Sequence, residues 1–73
     1  MNIGLLWYSA DKNKTLPEKI GEAVSFYRSK YGGRPNVCFV NPWMIGEQPP
    51  TVPGVTVKTS RSVMPNHFWV GVE

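Results

Sequence analysis

The segment from Thr15 to Gly33 constrains this chain more than any other. Thr15-Leu16-Pro17-Glu18 has the form of a capping box. The threonine is placed to accept the Glu18 amide, and the Glu18 side chain to reach back to the cap. Pro17 falls in the first turn, where a missing N–H costs no helical bond. Leu16, Ile20, Ala23, Val24, Tyr27 and Tyr31 follow at offsets of 4, 3, 1, 3 and 4, which trace one helical face. Phe26 lies off that stripe, placed to pack at its edge or to face a partner. Arg28 and Lys30 suit the negative end of the helix dipole. Gly32-Gly33 then supplies a left-handed stop. The pattern predicts one helix over about residues 15–31.

What flanks the helix sets the fold class. Asn2 to Ser9 reads as a strand, with Ile3, Leu5 and Trp7 on one face and Leu6 and Tyr8 on the other. Asn36 to Val40 reads as another, with Val37 and Phe39 opposing Cys38 and Val40. Apolar residues on both faces are the mark of strands buried on both sides. A strand, a helix and a second buried strand predict a parallel crossover. Asn41-Pro42 has the cap-then-proline form that opens a short helical turn through Trp43, Met44 and Ile45. A Pro-rich loop, Gln48 to Gly54, leads to Val55–Thr59, whose alternation suits an edge or half-exposed strand. Turn residues Ser60 to Asn66 precede a last strand, His67 to Val72. The last two strands are expected to run antiparallel as a long-looped hairpin. The expected architecture is α/β, with α+β as the variant. It is a small mixed four-stranded sheet with the main helix on one face, and residues 1–73 form a single domain.

Size then decides what else the fold needs. A chain of 73 residues sits where domains bury only about 60% of their unfolded surface. Such scaffolds lean on disulfides, a metal or a partner chain. Cys38 is the only cysteine, so no disulfide closes within the chain. One cysteine and one histidine, Cys38 and His67, cannot fill a tetrahedral metal site. Neither a metal nor a cofactor is expected. Three Trp, three Tyr and three Phe remain as apolar mass. One helix covers one sheet face, and the Trp43-Met44-Ile45 turn is expected to cover only part of the other. A homodimer or another protein partner is therefore expected on that second face, with Trp7, Trp69 and Trp43 as interface residues. The run Ile3 to Tyr8 is too short for a signal core or a membrane span. With a lone cysteine, this fits a cytoplasmic protein that does not engage a membrane.

No catalytic, metal or nucleotide motif stands out, so candidate sites come from topology. In open α/β sheets, ligands bind beyond the carboxyl ends of parallel strands. Those ends place Asp11, Asn41, Arg61 and His67 near one rim if the third strand is parallel to the first two and the fourth opposes it. His67, the residue that titrates near neutrality, could work with Asp11 as acid and base in a small hydrolase or transferase. Its simpler reading is a turn-holding hydrogen bond at Pro65-Asn66. Cys38 lies mid-strand between Val37 and Phe39 and reads as a core thiol. The charge of +3 is mild, and its cations come in pieces. Lys12, Lys14, Lys58 and Arg61 could form a basic rim for nucleic acid, or an ordinary solvated edge. The leading expectation is a non-catalytic binding module that self-associates through an aromatic sheet face. Nucleic-acid regulation and His67–Asp11 catalysis are the alternatives.

Overall fold

The computed structural model describes residues 4–46 and 49–73. The expected strand residues Asn2 and Ile3 and the loop residue Gln48 lie outside that range. The elements run β1 (Gly4–Tyr8), α1 (Leu16–Tyr31), β2 (Val37–Val40), a 3₁₀ turn (Pro42–Met44), β3 (Thr56–Thr59) and β4 (His67–Gly71). The α/β class and element order read from the sequence are those observed.

The helix forms as its signals specify. The Thr15 Oγ1 accepts the Glu18 amide, the Glu18 carboxylate accepts the Thr15 amide at 3.0 Å, and Gly32 ends the helix at φ 79°. The capping hydrogen bonds from Thr15, the backbone amide first, hold the Glu18 carboxyl below its ordinary range. Asn41 caps the 3₁₀ turn by accepting the Trp43 amide at 2.9 Å.

Strand order is β1-β4-β2-β3. β4 is antiparallel to both β1 and β2, and β3 is parallel to β2. β1, β2 and β3 therefore run one way and β4 the other. The crossover from β1 to β2 is split, with the last strand inserted in the gap. The expected opposition of β3 and β4 holds, but they form no hairpin, because β2 separates them. Hydrophobicity explains the insertion. Phe68 and Val70 are fully buried and belong in the sheet interior. Thr56 and Lys58 tolerate an edge.

One expectation is corrected at β1. It is an edge strand and is not buried on both faces: Leu6 is 58% and Tyr8 60% exposed. A four-stranded sheet has only two inner places, and β2 and β4 occupy them.

The core lies between α1 and one sheet face. Ile20, Ala23 and Tyr27 pack on Cys38, Val40, Phe68 and Val70. Leu5 and Trp7 join from β1. Met44 and Ile45 of the short turn, and Val52 and Val55 of the Pro-rich segment, also pack against this same cluster. That differs from the expectation that the turn shields the second face. These segments serve the helix side, and on the other face Val37 is the large side chain that is fully buried.

Candidate functional site

The carboxyl ends of β1, β2 and β3 and the start of β4 share one rim. The Ser9 amide donates to the Asn66 carbonyl at 2.9 Å, and the Ser60 amide to the Val40 carbonyl at 2.9 Å. Asn41 is half-buried there. Its Nδ2 donates to the Val63 carbonyl at 2.8 Å while its Oδ1 serves the 3₁₀ turn. The side chain thus ties the Ser60–Asn66 loop to the short turn.

His67 lies close by in a constrained setting. Met64-Pro65-Asn66-His67 forms a turn, closed by the His67 amide on the Met64 carbonyl at 3.1 Å. Asn66 takes a positive φ of 66° at its third position, as a type II turn requires. The Asn66 amide donates to the Met44 sulfur at 3.0 Å. His67 Nδ1 lies 2.9 Å from the Pro65 carbonyl, a bond in which the Nδ1–H donates. The ring packs against Tyr8, centroids 5.0 Å apart. This is the turn-holding role.

Asp11 accepts the Asn13 amide at 2.9 Å within its own loop. Asp11 and His67 share no hydrogen bond among the described residues. Arg61 is exposed. Of the basic set, Lys14 pairs with Glu22 and Lys58 pairs with Glu73 at 2.5 Å, while Lys12 is exposed. The hydrogen bond to Glu22 pushes the Lys14 pKa up. No cavity opens among the described residues, and they contain no cluster of three metal-ligating side chains.

The second sheet face offers more surface. The registers place Leu6 beside Trp69, Tyr8 beside His67, and Trp69 beside Phe39. Strand alternation puts these five on the face away from α1. The Phe39 and Trp69 rings lie 5.7 Å apart. Trp69 lies over Gly4, where an added Cβ would come within 2.0 Å of its Cζ2. Glycine at that position is what lets the indole lie flat.

The three tryptophans part company. Trp69 is on the open face. Trp7 faces the core side and stacks on Phe26 at 4.7 Å, and its indole N–H is buried with no partner among the described residues. Trp43 stands out from the short turn, 91% exposed. Leu6, Tyr8 and Phe39 complete the open face. Their opposed placement was visible in the strand alternation, but the exposure of Leu6 and Tyr8 depended on β1 becoming an edge, while Phe39 on the inner β2 is half-buried. No described helix is long and apolar enough to cross a membrane. The chain matches no protein-family model, no curated protein and no solved structure.

Proposed function

We propose that this protein is a non-catalytic interaction module that associates with a second copy of itself through the aromatic sheet face. The observation that carries this reading is the one-sided covering of the sheet. α1, the 3₁₀ turn and the Pro-rich segment all pack on one side, while Leu6 and Tyr8 remain more than half exposed on the other. An exposed apolar patch of this kind marks an interaction site. The domain is also small enough that a partner adds substantially to its burial. The rim residues Asn41 and His67 act in this reading as struts that hold the loop beside the face. A reducing compartment such as the cytoplasm suits it, since Cys38 is a buried free thiol.

Sedimentation velocity at high micromolar concentration tests the reading. The expected result is a dimer, shifted toward monomer by Tyr8→Lys with an unchanged circular dichroism spectrum. A wild-type chain that stays monomeric there refutes self-association. In that case, salt-sensitive retardation of a mixed single-stranded oligonucleotide would transfer the face to nucleic acid, whose bases stack on aromatic rings.

A further inference from the structure

Four of the seven large apolar residues exposed among the described residues gather about β1. Leu6 and Tyr8 belong to β1, Phe26 stacks on Trp7 of β1, and the Tyr31 hydroxyl lies 3.5 Å from the Gly4 carbonyl. They flank the outer edge of one strand, from the open face and from the helix layer alike.

Among the described residues no strand pairs with the outer backbone of that edge, where the Tyr31 hydroxyl is the one group that reaches it, at the Gly4 carbonyl. Ser9 bonds to Asn66 across the β1–β4 ladder. Antiparallel pairs alternate between bonded and non-bonded, so Leu5 and Trp7 also bond toward β4. Gly4, Leu6 and Tyr8 then point their N–H and C=O groups outward. The segment Gly4–Ser9 holds no charge and no proline, so it lacks the usual devices that block strand addition. β3, at the opposite edge, carries Lys58, held by Glu73.

We infer that a second copy pairs along this edge, β1 against β1 antiparallel about a twofold axis at Leu6, joining two sheets into one of eight strands. The inference rests on the reading that the partner of the open face is another copy. It moves the seam from the middle of that face to its β1 margin, so that the two faces lie side by side and do not stack. In this register Leu6 faces its own counterpart and Gly4 faces Tyr8 of the second copy. Each facing pair can exchange two N–H···O bonds, the incoming Tyr8 amide taking the place of the Tyr31 hydroxyl at the Gly4 carbonyl. The absent side chain at Gly4 brings the incoming tyrosine beside the Trp69 ring that lies there.

Charge complementarity selects a second copy over a foreign strand. Glu22, Phe26 and Lys30 recur at intervals of four along α1 and share one side of it. Phe26 marks that side as the one above β1. A twofold axis reverses the order, so Phe26 approaches Phe26. The Glu22 end of one helix, where Lys14 offsets only part of the charge of Glu22, Asp11 and Glu18, comes alongside the Lys30 end of the other. With only one permissive edge per copy, the assembly closes as a dimer and does not extend as a fibre.

Three variants test this. Leu6→Lys places like charges opposite one another and removes an apolar contact. It is expected to raise the dimer dissociation constant by about tenfold or more, with native circular dichroism. Leu6→Cys is expected to form a disulfide-linked dimer under mild oxidation, since a bonded antiparallel pair has Cα atoms about 5.5 Å apart. Lys58→Cys, on the other edge, is expected to stay monomeric in the same gel. A wild-type monomer overturns both the inference and the reading beneath it. A dimer that survives Leu6→Lys, fails to crosslink through Leu6→Cys and falls apart with Phe39→Lys overturns edge pairing alone, and leaves self-association through the open face standing.

Discussion

Adding one methyl group at Gly4 tests the packing of the open face. The ideal Cβ of Gly4→Ala would lie 2.0 Å from Trp69 Cζ2, 2.2 Å from Cε2 and 2.6 Å from Nε1. No real Cβ tolerates such contacts, so the indole must leave its place. Overpacking of this kind costs about 1–3 kcal/mol. The displaced ring also gives up its 5.7 Å pairing with Phe39, a contact of about 0.5–1.5 kcal/mol that lies within that cost. Against this, alanine restricts the unfolded chain and returns about 0.4–1 kcal/mol, because Gly4 does not adopt a positive φ. The net expected loss is about 1–2 kcal/mol, which lowers the Tm of so small a domain by about 4–16 °C. Thermal denaturation reads the loss, and near-ultraviolet circular dichroism reads the indole. A double-mutant cycle isolates the cause. In a Trp69→Ala background the methyl group meets no ring, and Gly4→Ala is expected to be neutral or mildly stabilising. Equal destabilisation in both backgrounds, or an unaltered near-ultraviolet spectrum in the single variant, refutes the reasoning.

Four further outcomes follow from named residues. Thr15→Ala removes the side-chain half of the capping box and is expected to cost about 1 kcal/mol by urea denaturation. Glu18 has a folded pKa below its ordinary value of 4.5, so its contribution is present above that value and is lost as the pH falls through the lowered one. The stability gap between wild type and Glu18→Gln should therefore narrow on acidification through that window. Cys38 is fully buried, and burial pushes its thiol up to about 12. It should resist a thiol reagent at neutral pH and react only on unfolding, whereas rapid labelling of the native protein would refute its core position. Asn41→Ala leaves the Val63 carbonyl and the Trp43 amide without their side-chain partner. The expected loss is about 1–3 kcal/mol, seen as a lower urea midpoint at unchanged m-value.

Local signals and long-range ones differ in how far they could be read from the chain. The capping box at Thr15, the stop at Gly32 and the Asn41 cap each depend on residues within a few positions of one another. All three form as their sequence predicts. The turn-holding role of His67 was legible for the same reason, since Pro65 and Asn66 adjoin it. The opposition of Leu6 and Tyr8 to Leu5 and Trp7 follows from the twofold period of any strand.

The sequence by itself determined the helix, its caps, the four strand segments and the two faces of each strand, because propensity and periodicity act along the chain. Only the tertiary structure decided that β4 enters between β1 and β2, and so that β1 is an edge. Strand order is a competition for two interior places. Phe68 and Val70 of β4, with Val37, Cys38 and Val40 of β2, bury more completely there than Leu6 and Tyr8 do in β1. That outcome placed the short turn on the helix side, separated Trp7 from Trp69, and left an apolar strand edge beside an aromatic face. No local pattern in the sequence encodes those three results, because each depends on segments that meet only after the sheet has assembled.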